Sequence, residues 1–269
     1  MKILAVSGGI DSVVMLDYLV NNCDEELLVA HFDHGIRQNS RDDAEFVERL
    51  AGQYKLPFVC GHAKLGAGCS EATAREARYS FLRSLARKNN ATICIAHHAD
   101  DIIESVIINC LRGTGWRGLA PMQTADIERP LRAWRKSEIY RYATEHNLRF
   151  RQDPTNVEDE YLRNRVREKL RDFPELSKKK ILDLHIKQCE LKAEIDKILE
   201  LIPRQIRYDK SLADEQEILR HILSFHNISL TRPQLANCQR AIATLSPGKY
   251  HSLNKEHFLK INKYTFELV

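Results

Sequence analysis

Over residues 1–111, short apolar runs of strand length alternate four times with stretches of helical periodicity. No other feature restricts the fold as much. Lys2–Val6, Leu27–Phe32, Pro57–Cys60 and Thr92–Ala96 read as strands. Helices are expected from Asp11 to Val20 (Val13, Val14, Leu16 and Leu19 on one face), from about Arg41 to Tyr54, from Ser70 to Lys88 and from Ala99 to Leu111. Ser70 reads as an N-cap, with Glu71 in the first turn behind it. Strands joined through helices by short polar turns pair in parallel and need cover on both faces. Such sheets bind ligands at the carboxyl ends of their strands. Ser7-Gly8-Gly9, Asp33-His34-Gly35 and His97-His98 all stand at those ends.

Beyond Pro174 the pattern changes. Lys178–Leu201 reads as one long amphipathic helix, followed by shorter helices near Asp214–Phe225 and Pro233–Leu245. Tyr250–Ser252, His257–Ile261 and Tyr264–Leu268 alternate as small strands, with a hairpin turn at Asn262-Lys263. The expected fold class is therefore α/β: a Rossmann-like parallel sheet with helices on both faces, then a small, mainly helical region with a short β tail. A boundary near residue 176 divides the chain into 1–176 and 177–269.

Composition narrows the class. With 43% hydrophobic and 29% charged residues the chain is globular in type. No apolar run approaches the ~20 residues of a membrane span, and Ile3–Val6 is too short for a secretory signal. Cys23, Cys60, Cys69, Cys94, Cys110, Cys189 and Cys238 are scattered, with no C-x-x-C pair, so neither a zinc site nor a disulfide framework is supported. A reducing, cytoplasmic setting is the expectation. The net charge of +4 does not announce nucleic acid, but basic residues cluster at 129–141 and 163–180. Solvated helix faces would explain those runs equally well.

Ser7-Gly8-Gly9-Ile10-Asp11-Ser12 lies between a strand and a helix. The glycines let the backbone turn tightly with its N–H groups toward a ligand, and the following helix aims its positive end at the same point. With the Ser7 and Ser12 hydroxyls, this makes an anion nest suited to pyrophosphate. A carboxylate there is out of place unless a cation accompanies the phosphates, so Asp11 is read as a partial Mg²⁺ ligand. A plain strand–helix turn is the bland alternative. The loop is not a Walker A sequence. A literal G-x-G-x-x-G at Gly113, Gly115 and Gly118 follows a helix rather than a strand, and reads as a substrate-facing loop with Arg112, Trp116 and Arg117.

Ser7–Ser12 resembles the S-G-G-x-D-S loop of the ATP-pyrophosphatase superfamily, whose members adenylate a carbonyl oxygen, release pyrophosphate and let a nucleophile displace AMP. Further strings are similar to those of the tRNA(Ile)-lysidine synthetases. They are Phe32-Asp33-His34-Gly35-Ile36-Arg37 with Ser40; Glu71-Ala72 with Arg75, Arg78 and Tyr79; Ala96-His97-His98-Ala99-Asp100-Asp101 through Glu104-Ser105; and Arg112-Gly113-Thr114-Gly115 with Gly118-Leu119. Arg129-Pro130-Leu131 with Arg135 and Glu138-Ile139, Asp153-Pro154-Thr155-Asn156, Arg163-Asn164-Arg165-Val166-Arg167 and Pro174-Glu175-Leu176 continue the series in the family's order. The resemblance implies ATP and Mg²⁺ as cofactors, and free L-lysine and a tRNA(Ile) with a CAU anticodon as substrates. It implies no membrane partner and leaves the oligomeric state open, a homodimer being one option. Longer members carry a further C-terminal domain, so this chain looks like a compact form.

The resemblance places ATP at Ser7, Gly8, Gly9, Ile10, Asp11, Ser12, Ala30 and Phe32. Asp101 and Glu104, three apart on one helix face, are expected to hold lysine's amines or to accept the proton of the attacking ε-amine. An exposed acidic helix start is the rival reading. His97 is expected to play a polar role near the base or the phosphates. Arg78 is expected to neutralise developing charge, against an alternative of pairing with Glu71 or Glu76 on its own helix. Arg112, Trp116, Arg163, Asn164, Arg165 and Arg167 are expected on the tRNA, with Trp116 stacking on a base. Phe81, Trp134, Tyr140 and Tyr142 are assigned to the core. Three other functions compete: a tRNA thiolase using Cys69 or Cys110, an amidotransferase acting on a small molecule, and a nucleotide-binding module without catalysis.

Overall fold

A computed structural model describes residues 1–35, 40–63, 69–151 and 161–269; Ile36-Arg37 and Asp153-Pro154-Thr155-Asn156 lie outside these, as does the Glu71 side chain. The chain forms two compact units, Met1–Ile186 and Lys187–Val269.

The first unit is built on a five-stranded parallel sheet in the order β3-β2-β1-β4-β5. Its strands are β1 (Lys2–Ala5), β2 (Leu27–Asp33), β3 (Phe58–His62), β4 (Thr92–Cys94) and β5 (Ile127–Glu128). Its helices are α1 (Ile10–Asn22), α2 (Ser40–Gln53), α3 (Glu71–Asn89), α4 (Ala99–Leu111), α5 (Lys136–Glu145) and α6 (Tyr161–Arg171). The expected doubly covered Rossmann-like sheet is what the chain adopts. Side chains alternate between faces along each strand. Leu4, Val29 and Cys94 enter one buried cluster with α1, α2 and α5, whereas Ile3, Leu28 and Ile93 enter a second with α3. Both faces are apolar, so the strands read as continuous hydrophobic runs.

The chain runs outward from β1 to β3 and then returns beside β1 to lay down β4. The strand order therefore reverses between β1 and β4, and the crevice at their carboxyl ends is where α/β sheets accept ligands. One buried carboxylate ties this half together. Asp17, on α1, accepts hydrogen bonds from Tyr54 Oη (2.6 Å) and Tyr142 Oη (2.8 Å), and His146 Nδ1 stands 3.1 Å away. A buried carboxylate without such partners would be strongly destabilising.

Several elements depart from the sequence reading. β5, α5 and α6 were not expected as regular structure. β5 is only two residues long, and α6 is so polar that its period is hard to see. The loop at Gly113–Gly118 closes into a 3₁₀ turn over Trp116–Leu119. Tyr140, assigned to the core, is 51% exposed because it stands on the outer side of α5.

The long helix α7 (Glu175–Leu199) runs across the division between the units. The second unit has a four-stranded antiparallel sheet in the order β6-β9-β8-β7, formed by β6 (Arg207–Asp209), β7 (Tyr250–Ser252), β8 (Phe258–Ile261) and β9 (Thr265–Leu268). Helices α8 (Gln216–Ser224) and α9 (Arg232–Thr244) cover it, and Tyr208, Leu219, Leu235, Leu259 and Phe266 fill its own core. The expected hairpin between β8 and β9 is present, closed by Asn262 N–H donating to the Thr265 carbonyl. β6 was missed, being three residues with one buried side chain.

Candidate active site

The loop after β1 is held open by its own side chains. Ser7 N–H donates to Ser12 Oγ (3.1 Å), Ser12 Oγ donates to the Gly9 carbonyl (2.9 Å), and the two hydroxyls are 3.2 Å apart. Gly8 has φ +91°, and a β-carbon there would lie 3.3 Å from the Phe46 ring; glycine satisfies both the left-handed backbone and the close approach of α2. The first-turn amides of α1, Ile10 to Ser12, have no helical carbonyl to bond, and the Gly9 N-cap supplies no side chain to cap them. The tight strand–helix turn expected from the sequence is thus formed, with Asp11 on its rim, its side chain 33% exposed.

Across the crevice, β4 ends in His97-His98 and starts α4. Asp101 caps that helix by accepting from the His98 backbone N–H (3.0 Å). Buried His98 lies between carboxylates: its Nε2 is 3.5 Å from Asp101 and 3.8 Å from Asp11. Glu104, 4% exposed, is gripped by Arg167 of α6, whose Nε and Nη2 donate at 2.8 and 3.1 Å, with Arg163 Nε a further 3.8 Å away. The hydrogen bonds to Glu104, set against burial, hold the Arg167 guanidinium above its usual range, with Asp101 and Asp11 adding to the effect. Asp11, Asp101 and Glu104 are therefore one acidic cluster, brought together from 93 residues of chain by the β1–β4 pairing.

The sequence reading missed the cation at the centre. Lys136 Nζ lies 2.5 Å from Asp11 Oδ1. It is placed there because Arg135 clamps Asp100 through Nε and Nη2 (2.7–3.1 Å), while the Lys136 N–H donates to the same carboxylate (2.7 Å). Burial acts against the Asp100 charge, but these bonds win and hold its carboxyl below the usual range. The only signal in the sequence was the basic run at 129–141.

A separate basic group surrounds His97. Arg129 Nε donates to His97 Nδ1 (3.4 Å), so the ring proton sits on Nε2. Burial, then Arg129, Arg75 and Arg78, press the His97 pKa down to about 3. His97 is therefore a neutral hydrogen-bonding group, as a polar role near base or phosphate requires, and cannot carry charge at neutral pH. Burial and Arg78 likewise lower the pKa of His34. Arg78 lies 5.6 Å, and Arg75 5.2 Å, from the Tyr79 ring.

Ala30 is 2% exposed and lies in the α3-side core, its carbonyl accepting from the Val6 N–H; it offers no side chain to a ligand. Phe32 packs against Phe81 and His34. Arg112 caps the far end of α4, about 16 Å of helix from Asp101. Trp116 follows it, half-buried, with Arg117 over its ring at 4.8 Å. On α6, Arg165 is exposed and Asn164 half-buried, whereas Arg163 and Arg167 turn toward Glu104.

The fold is that of a nucleotide-type α/β protein, with its glycine loop at the β1–β4 crevice. The chain belongs to the PP-loop family, whose domain model matches residues 2–176; ATP use goes with that family. A tRNA(Ile)-lysidine synthase from Thermotoga maritima is 38% identical over 181 residues, covering 62% of this chain and 44% of the relative. One from Geobacter sulfurreducens is 40% identical over 182 residues, with 62% and 39% covered. The chain spans less than half the length of the curated relatives it matches here. Among solved structures, a U34-tRNA thiolase from Methanococcus maripaludis shares the fold, with a TM-score of 0.62 and 17% identity over 71% of each chain. Among the described residues, no helix is long and apolar enough to cross a membrane.

Proposed function

We propose that the protein ligates free L-lysine to the wobble cytidine of a tRNA(Ile) with a CAU anticodon, through an adenylated cytidine, releasing pyrophosphate and AMP. The observation that carries this reading is the acidic cluster of Asp11, Asp101 and Glu104 beside the nest. An adenylating enzyme needs the nest; a cationic amine as second substrate needs carboxylates next to it. The relatives' names supply the amine and the RNA.

Ser7, Gly8, Gly9, Ile10 and Ser12 cradle the phosphates. The cytidine carbonyl oxygen attacks the α-phosphorus and the bond to pyrophosphate breaks; lysine's ε-amine then attacks the activated ring carbon and AMP leaves. Asp101 orients the amine and accepts its proton, because an ammonium is not a nucleophile. Glu104 shares the charge of the lysine when Arg167 gives way. Arg78 meets the charge that develops on the phosphate or the cytidine oxygen, and neutral His97 donates a hydrogen bond from Nε2. Among the described residues no three His, Cys, Asp or Glu side chains make an ion cage. Mg²⁺ takes one or two carboxylates and keeps phosphate and water ligands, and the Asp11 carboxylate on the loop is about one-third exposed. Asp11 would hold it, and when bound it would neutralise phosphate charge. Arg165, Arg163, Asn164, Arg167, Arg112 and Trp116 lie along the RNA, and residues 177–269 assist in holding it. The setting is cytoplasmic.

The test is incorporation of radiolabelled lysine into an unmodified tRNA(Ile) transcript with a CAU anticodon, with ATP and Mg²⁺, against initiator methionine tRNA. Label in the isoleucine tRNA alone is expected. ATP consumption with tRNA but no label would move the reaction to another nucleophile.

A further inference from the structure

We infer that Lys136 is a phosphate-binding residue of the nest, stored on Asp11 until the phosphates arrive. The nest has a conflict built into it. It offers helix amides and hydroxyls to an anion, yet Asp11 places a carboxylate on its rim. With nothing opposing it, that charge would repel an incoming phosphate chain at close range. Lys136 Nζ sits on Asp11 Oδ1 and cancels it.

The pair is built rather than incidental. Lys136 is the first residue of α5, and its backbone is pinned to the start of α4 by the Asp100 carboxylate, itself held by Arg135 on three contacts. The partners are 125 residues apart in sequence. Tyr140, one turn along, flanks the ammonium at 5.4 Å. Side chains of Lys136 and Asp11 are each about one-third exposed, so a ligand can reach both from solvent. An ion pair this open contributes little to stability. Its value lies in where the ammonium stands. Once a cation that travels with the phosphates takes Asp11, the displaced Lys136 is still tethered at the loop, and an anionic phosphate oxygen is its nearest available partner. The sequence string Arg129-Pro130-Leu131 through Glu138-Ile139 thus carries a ligand of the nest, not only a helix start.

The inference rests on the nest being the phosphate site, and the test separates the two. Binding of inorganic pyrophosphate and of ATP to the full chain is measured by calorimetry, once in EDTA and once with Mg²⁺. Lys136→Ala is expected to weaken pyrophosphate binding in EDTA by about tenfold or more, the weight of one charge-assisted contact, and Lys136→Arg to restore most of it. Asp11→Asn is expected to keep or improve metal-free binding, because the ammonium is released, and to lose the gain that Mg²⁺ brings. Wild-type affinity in Lys136→Ala would overturn the assignment. So would equal weakening in Lys136→Ala and Lys136→Arg accompanied by a lowered melting temperature, which would make the residue a structural brace. If the wild-type chain bound neither ligand, the nest itself would be wrongly assigned and Lys136 with it.

Discussion

At Asp101, the proposed reaction separates binding from chemistry. The residue caps α4 and faces the cluster, but it is not part of the nest. Asp101→Asn is expected to leave ATP affinity within a few-fold of wild type and to abolish lysine transfer, because an amide still accepts from the His98 N–H but takes no proton. ATP binding by calorimetry with lysine incorporation in parallel checks this; a mutant with normal turnover would sink the role. His97 carries a pH signature. Its folded pKa is near 3, while an unfolded histidine titrates near ~6.5. Between those values the unfolded chain takes up a proton that the folded chain refuses, so stability falls as pH drops through that window, by at most ~1.4 kcal/mol per unit for this one group. Above ~6.5 both states are neutral and the effect is absent. Urea unfolding between about pH 7 and 5 should show a shallower decline in His97→Gln than in wild type; identical slopes would contradict the burial of a neutral ring.

Elements decide what residues can reach. β3 and α3 approach so closely that a β-carbon at Gly61 would lie 2.6–2.8 Å from ring atoms of Phe81. Gly61→Ala is therefore expected to destabilise the fold by ~1–3 kcal/mol, through overpacking rather than lost contact. Gly61→Ala combined with Phe81→Leu should recover part of that loss in thermal melts. On α6 the two faces diverge. Arg165 is exposed, and Arg165→Ala is expected to weaken tRNA binding with a shallower salt dependence, by about one unit of slope. An unchanged slope would mean that Arg165 touches no phosphate. Arg167→Ala removes the bidentate partner of a buried carboxylate and should lower stability as well. Both arginines stood in one basic string; only the helix phase tells them apart.

For the whole molecule, each unit has its own core. Leu259→Ala, deep in the second, should cost that unit ~2–5 kcal/mol and leave amide protection in β1 to β4 unchanged by hydrogen exchange. Loss of protection in both units together would show that they unfold as one. Much of this architecture was legible in the sequence, because strands buried on both faces and helices with strong periodicity write their environment into local composition. The α4 span, its carboxylates, the glycine turn and the β7–β9 tail could all be read that way. β5, α5, α6 and β6 could not: they are short or polar, and pairing or packing with distant partners makes them regular. The same distinction holds at the site. Local sequence determined the chemistry of each strand end, since a glycine turn, a helix start and a carboxylate pair are properties of a few adjacent residues. Only the tertiary structure placed Lys136 on Asp11, Arg167 on Glu104 and Arg129 on His97. Those pairings are set by the order of strands in the sheet and by burial, which select partners by distance in space.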